Sequence, residues 1–225
     1  MLSEQLKEIY DLLYKRFGPQ DWWPGDTPFE VIVGAILTQN TNWTNVEKAI
    51  TNIKNAGVLA PDKLHHLDIT KLAQLIRPAG YFNIKAKRLK NFLDWFFDNY
   101  SGQLKNLENI PTAELRQQLL SVKGIGPETA DSILLYALNR LVFVVDAYTA
   151  RICSHHHLID EGADLSVVSS SNHYHQIQET LESNLASDIQ LFNEYHALLV
   201  HLGKDFCKPK PKCEECPLNH LPHTV

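Results

Sequence analysis

The sequence predicts an all-helical protein. Apolar residues recur at about 3.6-residue spacing along most of the chain, and no stretch alternates convincingly as a half-buried strand would. The interruptions are helix punctuation: residues 78–80 (PAG) end one helix, and residues 111–114 (PTAE) open another with Thr112 as its expected cap. With 225 residues, 44% hydrophobic and 21% charged, the chain suits one large domain or two intimately packed small ones, each able to bury a core.

Residues 1–17 form an amphipathic helix with Leu2, Leu6, Ile9, Leu12 and Leu13 on one side, not a signal peptide. No apolar run approaches bilayer length, so a cytoplasmic location with no membrane association is expected. Residues 22–26 (WWPGD) are turn-rich, and residues 28–37 are apolar almost all round, which implies a helix buried at the centre of a helical domain. Residues 38–43 (TQNTNW) join it to an amphipathic helix over 46–56. Gln39 and Asn40 lie at this junction, either offering free amides to a ligand or serving helix ends, as Thr41 and Asn42 are expected to do. Short helices follow over 62–67, 70–76, 84–100 and 112–120. Beyond residue 146, helices are expected over 147–157, 173–185 and 189–202, with a serine-rich loop at 166–172. His155, His156 and His157 do not form a joint metal site, because consecutive helix positions point about 100° apart. Cys153 reads as a small core residue.

The formal net charge of -5 removes any global electrostatic case for nucleic acid, so such binding must rest on local patches. Residues 77–90 hold Arg77, Lys85, Lys87, Arg88 and Lys90 and no acidic residue, either a basic patch or an ordinary solvated face. Between helical pieces over 116–120 and 129–138 lies the turn Val122-Lys123-Gly124-Ile125-Gly126. Its glycines permit a tight turn that uncovers peptide N–H groups at the start of the next helix, where the dipole favours a phosphate oxygen. The competing reading is an ordinary corner with Ile125 packed inward. After the apolar run 141–145 comes Asp146, placed either to cap the next helix or to do chemistry.

Three of the four cysteines crowd the tail as Cys207-x5-Cys213-x2-Cys216, among Lys204, Lys208, Lys210 and Lys212. Thiolates near lysines suit soft metals better than disulfides in an intracellular chain. His220 or His223 could supply a fourth ligand, which leaves zinc, an iron–sulfur cluster or no metal open.

Residues 122–130 (VKGIGPETA) followed by 144–151 (VVDAYTAR) resemble the helix–hairpin–helix and following aspartate of the endonuclease III branch of the HhH-GPD DNA glycosylases, most like the monofunctional 3-methyladenine glycosylases. The resemblance covers nearly the whole chain. Residues 37–41 (LTQNT) match the segment whose glutamine, here Gln39, fills the space left by a flipped base. Residues 80–86 match the wedge loop, here with Tyr81, and the cysteine tail matches the tail that binds a 4Fe-4S cluster, although Pro222 stands where the fourth cysteine belongs.

The resemblance implies a two-lobed fold, with a six-helix barrel over 24–137 carrying the hairpin and a second lobe joining 1–23 to 138–225. It implies a monomer that binds double-stranded DNA containing a damaged base, with the target nucleotide rotated out of the stack. Contacts to DNA would come from Gln39, Tyr81, Lys85, Lys123, Gly124, Ile125 and Gly126. Asp146 would stabilise the positive charge that builds on the sugar as the C1′–N bond breaks. Strand-cutting members carry an amine nucleophile two residues after the second glycine, where this chain has Glu128, so hydrolysis by water is expected. Trp22, Trp23, Pro24 and Trp43 resemble an aromatic pocket for an alkylated, electron-poor purine. A bifunctional pyrimidine glycosylase and lyase, or a noncatalytic DNA-binding module, are the alternatives.

Overall fold

The computed structural model describes residues 1–159 and 171–224, and no strand occurs among them. The α-helices among these residues are α1 (Leu2–Phe17), α2 (Pro28–Leu37), α3 (Trp43–Asn55), α4 (Pro61–His66), α5 (Ile69–Leu75), α6 (Phe82–Tyr100), α7 (Thr112–Ser121), α8 (Pro127–Ser132), α9 (Ala147–His155), α10 (Ser171–Asn184) and α11 (Ile189–Asp205). The serine-rich loop expected at 166–172 falls mainly outside the described residues, and its last two residues open α10. No described helix is long and apolar enough to cross a membrane. By its contacts the chain divides into two compact units, Met1–Trp22 with Leu141–Val225, and Trp23–Arg140.

In the Trp23–Arg140 unit, α2 is the central element. Its residues Phe29 to Leu37 are all buried, which fits its nearly unbroken apolar sequence. It packs against α3, α6, α8 and the π-helical turn Ile133–Ala137 that continues α8. Each fully buried large aliphatic side chain contributes about 1.5–3 kcal/mol. Thr27 caps α2 by accepting the Glu30 N–H at 3.2 Å, with Pro28 at the first turn. Asn42 caps α3 as expected, accepting from Asn45 N. Thr112 does not cap α7: it is the first helical residue, and Pro111 holds the cap position without a side-chain bond.

The other unit is built on α11, which packs against α1 and α9, while α10 packs against α1 and α9. Leu6, Ile9 and Leu13 are the buried stripe of α1. Residues Val142 to Val145 are buried without belonging to any strand, so their polar backbone atoms need other partners. Glu182 Oε1 accepts the Phe143 N–H at 2.7 Å, Gln178 Nε2 donates to Phe143 O at 2.6 Å, and Tyr174 Oη accepts the Val145 N–H at 3.3 Å. Tyr174, Gln178 and Glu182 are spaced four apart on α10 and therefore share one face. That face holds the extended segment in place and so fixes where Asp146 emerges.

Candidate active site and nucleic-acid interface

The hairpin is built by α7, the turn and α8. Gly124 has φ +101°, and a Cβ there would lie 2.3 Å from Arg88 Cγ, so both conformation and space require glycine. Gly126 differs from that expectation. Its φ of -100° and ψ of 178° are ordinary extended angles, and a Cβ would meet nothing within 4 Å. Its requirement for glycine, if any, comes from what approaches it. Ile125 is buried and its N–H donates to Val122 O at 3.0 Å, so its side chain packs inward. Of the four hairpin residues expected at DNA, Lys123 and Gly126 are the exposed ones, and Glu128 is exposed beside them. Arg116 of α7 clamps Asp131 of α8 through Nε–Oδ1 at 2.6 Å and Nη2–Oδ2 at 2.9 Å.

The basic run 77–90 proves largely internal. Lys85 was expected at DNA, but it is 1% exposed, and its Nζ donates to Leu37 O at 2.8 Å and Ala79 O at 2.7 Å. Burial, with a smaller contribution from the Arg88 charge, brings its pKa down to about 8. Lys90 Nζ donates to Leu64 O and His65 O at the end of α4. Arg88 Nη1 donates to Gln39 Oε1. Arg77 and Lys87 remain exposed.

Gln39 is therefore not a free amide. Besides accepting from Arg88, it donates through Nε2 to Gly124 O at 3.0 Å and to Thr129 Oγ1 at 2.9 Å, joining the end of α2 to the hairpin. Placing it in a DNA gap would require those bonds to break. The next residue, Asn40, is exposed with φ +53°. Tyr81 is 68% exposed, has φ +45°, and stands at the N-cap of α6 with exposed Ile84 one turn on. A bulky aromatic held outward at a left-handed position is suited to a wedge.

The expected aromatic pocket is only partly brought together. Trp23 meets Trp43 edge-on at 5.2 Å between ring centroids and Tyr136 at 5.2 Å. Gly34 of α2 opens the space, since a Cβ there would lie 3.2 Å from Trp23 Nε1 and 3.5 Å from Trp43. Pro24 is exposed, and Trp22 belongs to the other unit, where Lys204 Nζ lies 5.6 Å from its ring centroid. Tyr136 and Gly34 escaped the sequence reading because each looked like ordinary helix interior.

Asp146 caps α9, its Oδ1 accepting the Thr149 N–H at 2.7 Å, and its side chain is 13% exposed. The other oxygen, Oδ2, lies 3.9 Å from Nε2 of buried His196 on α11. Burial lowers the His196 pKa, more than the nearby Asp146 raises it, so the imidazole tends to neutrality beside the carboxylate. Cys153 is buried as expected, and burial together with Asp146 pushes its thiol up to about 12.

In the tail, Cys207, Cys213 and Cys216 line one cavity of about 20 Å³ with His155, His156, Lys212 and His223. Burial raises the thiol pKa values of Cys207 and Cys216. His220 is exposed and does not line the cavity. His223 lines it, but its Nδ1 is bonded to Leu221 O at 2.9 Å. The expected helix over 147–157 stops at His155, so His156 and His157 lie beyond it: His156 Nδ1 meets Pro222 O, and His157 is exposed. His155, however, points its Nδ1 at Cys207 Sγ, 3.5 Å away.

A hairpin braced by an ion pair thus sits in an all-helical frame with a carboxylate at a later helix start. The pattern of the HhH-GPD superfamily of base excision DNA repair proteins matches residues 33–184, and the chain belongs to that family. It is a base excision repair DNA glycosylase, acting on N-glycosyl bonds. A Methanocaldococcus jannaschii protein, provisionally named a DNA repair glycosylase, is 47% identical over 97% of this chain and 96% of its own length. Endonuclease III of Sulfolobus acidocaldarius is 32% identical over 84% of this chain and 78% of its own. Among solved structures, the H. pylori 3-methyladenine DNA glycosylase MagIII bound to 1,N6-ethenoadenine aligns with a TM-score of 0.70 at 32% identity, over 90% of this chain and 97% of that one. A trapped endonuclease III–DNA covalent intermediate shares the fold with a TM-score of 0.77 at 21% identity, over 97% of this chain and 94% of that one.

Proposed function

We propose that this glycosylase is monofunctional and hydrolyses the N-glycosidic bond of an alkylated, 3-methyladenine-type base flipped out of duplex DNA. The observation that carries the reading is Glu128, exposed in the hairpin two residues after Gly126, where a strand-cutting relative would need an amine. A carboxylate cannot form a Schiff base, so water takes the place of a protein nucleophile.

Asp146 stabilises the oxocarbenium-like charge on the sugar and orients the attacking water. Its Oδ1 is committed to the α9 cap, which leaves Oδ2 for this work. The carboxylate is largely sheltered from solvent, where its charge acts more strongly than in water. Gly126 and the start of α8 take a DNA phosphate, with Lys123 adding charge, and Tyr81 wedges the duplex. Trp23, Trp43 and Tyr136 supply π-faces to a cationic purine, whose glycosidic bond is already weak and so needs little leaving-group protonation. The similarity to a 3-methyladenine glycosylase at 32% identity supports that substrate class. A 4Fe-4S cluster fits the tail poorly, since Pro222 stands where the fourth cysteine belongs.

The test is base release from DNA treated with a methylating agent. Wild-type protein is expected to liberate 3-methyladenine, and Asp146→Asn to lose at least about a hundredfold in rate, the scale of losing one transition-state charge contact. Absence of alkylated base among the products, with activity on an oxidised pyrimidine instead, would replace this reading with the endonuclease III type.

A further inference from the structure

We infer that His196 of α11 is the positioning residue of Asp146: its Nε2–H holds Oδ2, which fixes the carboxylate at both oxygens while the C1′–N bond breaks. This rests on the role given to Asp146 above, and on an arrangement inside one unit of the chain, to which both residues belong. Oδ1 accepts the Thr149 N–H at 2.7 Å, and Oδ2 lies 3.9 Å from His196 Nε2. One bond does not fix a carboxylate, because the aspartate χ2 torsion is broad and the group can turn about it. A donor on the second oxygen stops that rotation.

The imidazole is itself held in place. His196 is 4% exposed, and its ring meets the Phe143 ring edge-on at 6.4 Å between centroids. Phe143 stands three residues before Asp146 in the buried extended segment, and its backbone is tied to α10 on both sides, by Glu182 at the N–H and Gln178 at the carbonyl. One segment therefore places both the ring that flanks His196 and the carboxylate that its Nε2 faces. The other buried residues of α11 are aromatic, aliphatic or glycine, so an imidazole here departs from a plain packing face.

A separation of 3.9 Å is longer than an N–H···O hydrogen bond, which spans about 2.7–3.2 Å. Closing it takes a shift of roughly 1 Å, and hydrogen bonds of this kind are often long in a free enzyme and tighten with substrate bound. The charge state suits the role. Burial, with Lys204 acting in the same direction, holds the imidazole pKa down against the pull of Asp146. A neutral N–H orients the carboxylate and leaves its negative charge to act on the sugar, where an imidazolium would offset it. With one lone pair of Oδ2 given to Nε2, the other remains for the attacking water.

The experiment is single-turnover base release from methylated duplex DNA over a range of protein concentrations, for wild type, His196→Leu, His196→Gln and Asp146→Asn. His196→Leu should lower the maximal rate at least about tenfold and leave the half-saturating concentration within about twofold, since a misplacement of about 1 Å costs up to about a hundredfold. His196→Gln puts an amide N–H near the place of Nε2 and should recover most of that loss. Circular dichroism melts score the folding of each variant separately. A readout free of substrate is the imidazole ¹⁵N spectrum of the folded wild type, in which His196 should be neutral with its proton on Nε2, and its Nε2 resonance should move in Asp146→Asn. That spectrum does not depend on which base is excised. A wild-type rate in folded His196→Leu beside an inactive Asp146→Asn would overturn the inference. So would a proton on Nδ1, or equal losses in folded His196→Leu and His196→Gln, as a merely structural histidine would give. Asp146→Asn as active as wild type would instead overturn the role of Asp146, and His196 with it.

Discussion

The Arg116 guanidinium and the Asp131 carboxylate face each other across the two helices of the hairpin in a two-point ion pair, with Asp131 fully buried. Removing one partner strands the other charge in the interior. Arg116→Ala or Asp131→Ala is expected to cost about 3–5 kcal/mol, while a paired replacement by Met and Leu costs much less. Urea unfolding of the three variants checks this, and single-variant losses under about 1 kcal/mol would show that the pair does not hold the hairpin together.

The two hairpin glycines should separate in a stability and binding assay. Gly124→Ala puts a methyl group into Arg88 at a left-handed backbone position and should cost about 3 kcal/mol or more. Gly126→Ala sits at ordinary angles in open space, so stability should change by less than about 1 kcal/mol. Duplex affinity should nonetheless fall several-fold, because the methyl group stands where the proposed reading brings a phosphate. Equal affinity of Gly126→Ala and wild type for a damaged duplex would remove Gly126 from the interface.

Much of the frame was legible in the sequence, because it depends on local signals. The apolar run of α2 predicted its burial, and Asn42 was legible as a cap, although α3 starts at Trp43 and so earlier than the 46–56 expected. What the sequence did not reveal are partnerships between distant residues. Lys85, Arg88 and Lys90 read as a basic surface, yet each spends its donors on carbonyls or an amide of its own unit. Charge in a sequence says nothing about which carbonyl lies across a helix packing. For the same reason Gln39 looked available to a ligand, and His155 looked like a helix-end histidine when a cysteine 52 positions away faces it.

Lys85 predicts a pH dependence whose sign is fixed. Its folded pKa of about 8 lies below the ordinary 10.5. Below pH 8 the amine is charged in both states and the cost of burying that charge is fully present. Between about 8 and 10.5 the folded protein has released the proton while the unfolded chain still holds it, so this contribution to stability rises with pH, by up to about 3 kcal/mol. Denaturant midpoints measured from pH 7 to 10.5 should show a rise in wild type that is missing in Lys85→Met. Parallel profiles for the two proteins would mean that Lys85 titrates normally.

Gly34 tests the aromatic site without deleting an aromatic ring. Gly34→Ala brings a methyl group within 3.2 Å of Trp23 Nε1 and narrows the space beside Trp43. Helix propensity favours alanine by up to about 1 kcal/mol, so the variant should remain folded. Release of a methylated purine should fall about tenfold, the effect of one ill-placed methyl in a tight pocket. Unchanged release kinetics would place the base elsewhere.

Glu128 makes the sharpest demand on chemistry, because the proposed reaction, with no amine at that hairpin position, leaves an intact abasic strand. The direct measurement is incubation of the protein with alkylated duplex DNA in the presence of borohydride, with free base and protein–DNA adduct scored from the same reaction. Release of 3-methyladenine with an uncut strand and no covalent adduct is the predicted result; a trapped adduct, or strand cleavage in step with base release, would contradict it.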